Sequence, residues 1–421
     1  MPTASSRPAA TAGLLLLLLA AGLVAPPAPA RADTEEFSSF DVKRMEEDDE
    51  GFIDHLLVRQ PLGWRDEWVR APLAFRTAQG CLTSGQWLMR NELKLSTPLG
   101  RRARFGLVLN QAASDLYTYD DLELWFLFPQ RFGTVGVMFR PYYDKSRQDL
   151  ALTWEAGADS APAQLRLTFG LEDLFNNLWA WRQTRVGGNG EPYERHPWEP
   201  ALKAGLRRER WRAEVAAKWL TPSRKRVGSY FSSIQERRQT LWGACGEALL
   251  EAEALGVTWT ARTANRQARS TDQPLDRSTG DGLLARRMWD AGLGARRALT
   301  PRLRVEAHWI YAERAQSQRP PLTESRFLGI DRTLQIEAHW AFHPDLVARV
   351  GGLFDRVGIR ESSPGGYSNE AARNESRAYF GLLARFGRMS VTAVEGIELD
   401  PENYEVWHHH DKAFLLMQTT F

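Results

Sequence analysis

Two four-residue strings repeat in this chain, Glu306-Ala307-His308-Trp309 and Glu337-Ala338-His339-Trp340. A carboxylate and an imidazole two residues apart share a face in an extended strand, where successive side chains alternate sides. Two such pairs on adjacent strands could offer oxygen and nitrogen donors to a cation such as zinc. The plainer reading is two polar patches on a wet surface, alike because the strands that carry them are alike. No metal is assigned, and Glu306, His308, Glu337 and His339 stand as candidate donors only. A further string, His408-His409-His410-Asp411, precedes the final segment. It reads as adventitious metal binding at a rim. No defensible Ser–His spacing and no phosphate-cradling glycine loop occurs. There is no CxxC or CxxCH, and Gly351-Gly352 and Gly365-Gly366 are strand packing and a loop turn. Neither an enzymatic reaction nor a cofactor is therefore expected.

What positions these residues is a series of alternating segments. In Gln164–Glu172, Leu165, Leu167, Phe169 and Leu171 take one face, and Arg166, Thr168, Gly170 and Glu172 the other. Arg212–Leu220, Arg302–Tyr311 and Leu334–Phe342 repeat the pattern. A period of two is the signature of a strand with one apolar and one polar face. Strands are expected at 68–80, 86–97, 102–110, 121–128, 133–142, 148–157, 164–172, 199–207, 211–220, 239–250, 253–263, 287–298, 302–313, 329–342, 346–358, 376–386, 389–398 and 410–421. That is about 18 strands, with 16 as the alternative. Short links carrying Pro, Gly or Asp alternate with long ones at 173–198, 221–238, 264–286, 314–328, 359–375 and 399–409. The link at 143–147 is the short exception.

Composition sets the solvent. Mean hydropathy is −0.42, and beyond residue 32 there is no apolar run long enough for a membrane helix. Yet the chain holds 16 Trp, 19 Phe and 10 Tyr. A membrane barrel reconciles the two, because the water-facing half of each strand hides the lipid-facing half from averaged hydropathy. Trp87, Trp125, Tyr142, Tyr143, Trp154, Trp211, Trp219, Trp289 and Trp309 lie near strand ends, where interfacial aromatic girdles form. A soluble sandwich would not need long loops on one side only.

The amino-terminal segment reads as export machinery. Arg7 precedes the 12-residue apolar run Gly13–Val24, and a Pro/Ala-rich stretch closes on Ala30-Arg31-Ala32. That is the order of a secretory signal over residues 1–32, too short for a membrane anchor. Residues 33–66 form an acidic periplasmic arm: Asp33–Asp54 carries ten Asp or Glu against Lys43 and Arg44. Without residues 1–32, basic and acidic residues balance at 52 each, so no nucleic-acid partner is expected. Cys81 and Cys245 are the two cysteines, read as unrelated, with pairing left open.

The final segment, Ala413 to Phe421, places Ala413, Leu415, Met417 and Thr419 on one face and ends on Phe421. It resembles the terminal strand of the Gram-negative outer-membrane β-barrel (porin-like) class. Thr419 departs from the aromatic common there, and Phe414 and Leu416 make the other face apolar too. The resemblance implies an all-β, transmembrane antiparallel up-and-down barrel over residues 67–421, located in the cell outer membrane. It implies short periplasmic turns, long extracellular loops, and recognition of the strand ending at Phe421 by the barrel-assembly machinery. Outer-membrane lipid and lipopolysaccharide would surround it. Counting back from Phe421 puts every long loop outside and requires an even strand number.

With apolar faces toward lipid, the polar faces point inward. The expected pore-lining residues are Arg166, Lys203, Arg207, Arg212, Glu214, Lys218, Arg304, Glu306, His308, Glu337, His339, Arg349 and Arg385. Arg90, Glu92, Lys94, Arg104, Glu123 and Glu172 join them. Isolated charges do not tolerate a dry interior, so they pair across strands, face water, or both. The expected function is passive diffusion of small hydrophilic solutes. The alternative is a barrel that sheaths or anchors a periplasmic or lumenal protein partner, such as an electron-transfer protein. Loop 173–198, with Trp179, Trp181 and Trp198, is the expected constriction.

Overall fold

The computed structural model describes residues 72–80, 88–114, 118–140, 148–157, 161–172, 193–227, 237–274, 281–319, 324–363, 366, 368–374, 376–399 and 412–420. The signal segment, the acidic arm, Cys81, Trp87, Tyr142, Tyr143, Trp179, Trp181, His408–His410 and Phe421 lie outside them, as do residues 68–71 of the first expected strand and the link at 143–147. The described residues are strands and turns. In chain order the strands are β1 (Leu73–Gly80), β2 (Leu88–Leu99), β3 (Ala103–Ser114), β4 (Thr118–Gln130), β5 (Gly133–Phe139), β6 (Gln148–Ala156), β7 (Ala163–Glu172), β8 (Tyr193–Arg195), β9 (Trp198–Arg208) and β10 (Trp211–Val227). They continue with β11 (Arg237–Ala254), β12 (Val257–Pro274), β13 (Gly282–Thr300), β14 (Leu303–Arg319), β15 (Ser325–His343), β16 (Leu346–Ser362), β17 (Ser368–Asn374), β18 (Arg377–Phe386), β19 (Met389–Glu398) and β20 (Lys412–Thr420).

Every pairing is antiparallel. β1 pairs with β2 on one side and with β20 on the other, so the order of pairings returns to its start. β8 and β9 follow one another along the same edge of β10. β17 and β18 do the same along β16. The 20 strands therefore occupy 18 places in the wall, and each expected strand has its counterpart there. Tight turns close one end. At the β11–β12 turn both Leu255 (φ 56°) and Gly256 (φ 69°) are left-handed, as a two-residue hairpin turn requires.

The faces are inverted relative to a water-soluble protein. Large apolar side chains are the exposed ones: Leu152, Leu167, Leu202, Trp219, Leu293, Trp340, Val350 and Phe380 among them. Buried positions include Glu199, Lys218, Arg266, Asp290, Glu337, Arg349 and Asp355. Along β15, Leu334, Ile336, Trp340 and Phe342 point out while Thr333, Gln335, Glu337 and His339 point in. Such a surface is stable only in hydrocarbon, and its backbone is satisfied only as a barrel. The chain is an outer-membrane β-barrel.

Three expectations need correction. The long outer loops are shorter than read, because β10 to β16 run on for 17 to 19 residues. Residues 221–227, 264–274 and 314–319, read as loop, are hairpin strand; above the membrane both faces are wet, so the apolar period vanishes while backbone pairing continues. Trp198 belongs to no constriction. It opens β9 on the outer face, 43% exposed, with its ring 4.7 Å from that of Phe169. Trp125 is not a girdle residue, since its Nε1–H donates to the inward carboxylate of Glu123 at 2.8 Å.

Candidate functional site: the charged inner face

The inner face of β14, β15, β16 and β18 gathers the repeated Glu/His strings into one cluster. The register sets Glu306 directly opposite Glu337, Arg304 opposite His339, and His339 opposite Arg349. Two carboxylates held face to face would repel, and the surrounding groups neutralise them. Arg349 binds Glu337 through its guanidinium. Arg304 Nε reaches Glu306 Oε1 at 2.8 Å. His339 Nε2 lies 3.0 Å from Glu337 Oε1 and 3.8 Å from Glu306 Oε1. His308 Nε2 is 3.5 Å from Glu306 Oε2. Tyr379 O–H and Gln335 Nε2–H donate to the second oxygen of Glu337 at 3.1 and 3.0 Å.

Two glycines make the cluster possible. A Cβ at Gly351 would sit 2.6 Å from the Tyr379 ring and 2.6 Å from the Ile336 carbonyl. A Cβ at Gly294 would sit 2.5 Å from His308 Nδ1. The side chains of Tyr379 and His308 therefore lie across bare backbone on the neighbouring strand. Sequence reasoning assigned Glu306, His308, Glu337, His339, Arg304 and Arg349 to this face. It set Gln335 on the same polar face without giving it a role, missed Tyr379 and Gly294, and took Gly351 for ordinary strand packing. The signal available was parity, since Tyr379 shares its face with Arg377 and Arg385 two residues at a time.

Each carboxylate already holds a guanidinium, Glu337 with hydroxyl and amide donors besides and Glu306 with two imidazoles, so little donor capacity is left for a cation. Among the described residues no group of three or more His, Cys, Asp or Glu side chains is disposed to hold a metal. The cluster's chemistry is charge pairing.

A second set of pairs lines β6, β7, β9 and β10. Arg166 reaches Glu155 at 2.8 Å, directly across the β6–β7 ladder. Lys218 Nζ meets Glu199 at 2.6 Å, both almost wholly buried. Lys203 and Arg212 share Glu214, at 3.3 and 2.6 Å. On β2, Lys94 pairs with Glu92 at 2.6 Å, and Arg140 pairs with Glu123 across β4 and the end of β5. Arg207 keeps the inward parity of β9 but stands exposed at the turn end, opposite Arg212. Arg385 faces Ser390 near the β18–β19 turn. Arg104 lies on the inner face opposite Leu127. The side chains of Arg90 and Glu172 lie outside the described residues. Cys245 is a buried free thiol on this face, in register with Lys218. Among the expected residues, Arg166, Lys203, Arg212, Glu214 and Lys218 fall in one set of pairs on the inner face, and Arg304, Glu306, His308, Glu337, His339 and Arg349 in another; Glu92 with Lys94 and Glu123 with Arg140 pair apart from both.

No family model matches the sequence, and no curated protein does. Solved structures resemble it in strand arrangement. OmpT, an outer-membrane protein of Vibrio cholerae, is 8% identical with a TM-score of 0.38, covering 83% of this chain and 96% of that one. CdiB from Acinetobacter baumannii is 10% identical with a TM-score of 0.42, covering 83% and 60%. A mutant porin of Rh. blastica is 9% identical with a TM-score of 0.29, covering 83% and 99%.

Proposed function

We propose that this barrel is a passive, porin-like channel that lets small hydrophilic solutes cross the outer membrane, with no catalytic role. The observation that supports it is the inner face, where charges of both signs line a ring of 18 strand places. A ring of that size leaves room for an aqueous channel. Opposed acidic and basic groups orient polar solutes and exclude apolar ones. Pairing stiffens the wall while leaving dipoles to face the permeant. In the same reading, the barrel-assembly machinery takes up the chain through the strand ending at Phe421.

The test is electrical. Purified protein in planar bilayers is expected to give stepwise, reproducible conductance. Neutralising the Glu306/Glu337 pair with Gln should lower cation preference. A silent bilayer, with a single protein co-purifying in fixed ratio, would instead identify the barrel as a sheath or anchor.

A further inference from the structure

On the tall side of the barrel the outer face changes from apolar to charged over three successive outward positions on four adjacent strands. β16 presents Val350 and Phe354, then Arg356. β15 presents Ile336 and Leu334, then Arg332. β14 presents Trp309 and Tyr311, then Glu313, and β13 presents Leu293 and Trp289, then Arg287. The ladder keeps these positions side by side: Tyr311 opposes Arg332, which opposes Arg356. Trp289 and Tyr311 pack with ring centroids 5.3 Å apart at the boundary. From Phe342 to Leu334 the band spans about 27 Å of strand at about 3.4 Å per residue. Tilted, that is close to the roughly 25 Å apolar belt of an outer-membrane barrel. The boundary is therefore the outer interface, and what lies above it meets lipid headgroups.

Above the boundary the same outer face carries arginines among apolar residues such as Ile330 and Leu328. Arg269 on β12 and Arg326 on β15 join Arg287, Arg332, Arg356 and Arg360. Only two of the six meet a carboxylate among the described residues: Arg287 with Glu313 at 2.5 Å, and Arg360 with Glu370 at 2.9 Å. Arg269, Arg326, Arg332 and Arg356 make no ion pair with a described residue. The surface is concave there, a groove of about 510 Å³ with Arg269, Arg287, Arg326 and Arg360 on its walls and Leu328, Ala285 and Ala315 among the apolar residues between them. Arginines spaced over adjacent strands, with apolar patches between them, suit a phosphorylated headgroup whose acyl chains run down the band.

We propose that this outer-face groove is a binding site for the phosphate groups of a lipopolysaccharide headgroup in the outer leaflet. It rests on the barrel spanning the outer membrane and is independent of whether the lumen conducts. The guanidiniums of Arg269, Arg326, Arg332 and Arg356 supply charge-assisted bonds to the phosphates. Trp289 and Tyr311 hold the glycolipid at the interface, and the Arg287–Glu313 and Arg360–Glu370 pairs keep the groove from being uniformly repulsive when empty.

The test uses the full barrel in nanodiscs of zwitterionic lipid doped with lipopolysaccharide, read by native mass spectrometry. The intact protein is expected to retain lipopolysaccharide in preference to its chemically dephosphorylated form. The combined variant Arg269→Gln, Arg326→Gln, Arg332→Gln and Arg356→Gln should bind it on the order of a thousandfold more weakly, given about 1 kcal/mol per basic residue at an anionic surface. A control carrying Arg101→Gln and Arg102→Gln, in the β2–β3 turn at the other end, should bind as the parent does. Heat-modifiable gel migration reports that each variant is folded, so loss of the barrel is told apart from loss of the site. Equal retention of phosphorylated and dephosphorylated glycolipid, or a four-arginine variant that binds like the parent, overturns the proposal. Saturation by millimolar inorganic phosphate without retention of the lipid overturns it too, because the ligand would then be a free anion.

Discussion

The two sides of this barrel cross one membrane with strands of very different length. Among the described residues β5, β6, β7, β19 and β20 have 7 to 10 residues, whereas β10 to β16 have 17 to 19. Ten tilted residues already span the apolar belt. The extra turns of the long strands therefore stand in the aqueous and headgroup zone. What differs along a single long strand is the source of its stability. Within the band, buried charges on the inner face must be paired, and apolar side chains face hydrocarbon. Above it, backbone pairing and exposed ion pairs are all that is left. Changes in the band should cost much and changes in the extension little.

The sharpest test falls on the inner cluster. Glu337→Ala leaves Arg349 and His339 facing a hole where both carboxylate oxygens had partners. Removing one partner of a buried pair costs about 3–5 kcal/mol, read as a lower denaturant midpoint of the refolded barrel. The double variant Glu337→Leu/Arg349→Met removes both charges and should recover much of that loss. Should the single variant be as stable as the parent, the inner face in the band is not held by pairing and the contrast fails.

Gly351→Ala should cost less, about 1–3 kcal/mol, because the new methyl overpacks against Tyr379 and the Ile336 carbonyl. Gly246→Ala on β11 is the matched control: its Cβ would meet only the Ala216 carbonyl, at 3.6 Å. It should lie within about 0.5 kcal/mol of the parent. Equal effects at the two glycines would show that the close approach of Tyr379 is not a constraint.

In the extension the numbers fall. Arg287→Ala breaks the 2.5 Å pair with Glu313, yet the arginine side chain is 57% exposed. Exposed pairs contribute about 0–1 kcal/mol, so the denaturant midpoint should barely move. A loss comparable to that of Glu337→Ala would put the extension and the band on one energetic footing.

How much of this was legible follows the same boundary. In the band, alternation marked β7, β14 and β15 and put Arg166, Glu306 and Glu337 on the inner face, because lipid on one side and polar groups on the other write a period of two into the residues. Above the band that pressure is gone. Residues such as 264–274 look like a polar loop although they pair as β12. The partners of the inner charges were not readable at all, since register depends on strand stagger. The glycines under Tyr379 and His308 carried no signal beyond being small. Trp198 and Trp125 misled for one reason: an aromatic near a strand end says nothing of the face it takes until parity is fixed.

The smallest effect concerns pH, and it is local. Glu194 on β8 accepts hydrogen bonds from Arg238 at 2.8 Å and Arg226 at 3.2 Å, tying β8 to β10 and β11 above the membrane. The Arg238 hydrogen bond, then the charges of Arg238 and Arg226, hold its carboxyl below the ordinary 4.5 despite some desolvation. A depressed carboxylate adds stability that is present above the unfolded pKa and lost as pH falls through the folded one. Hydrogen exchange at Arg226 and Arg238 amides, corrected for intrinsic rate, should therefore hold steady from pH 7 to about 5 and accelerate in more acid solution. Glu194→Gln should remove that acid step while leaving exchange at Glu337 and Arg349 in the band untouched. An acid step of equal size in both regions, or its survival in Glu194→Gln, would assign the pH response to the barrel as a whole and erase the distinction between extension and band.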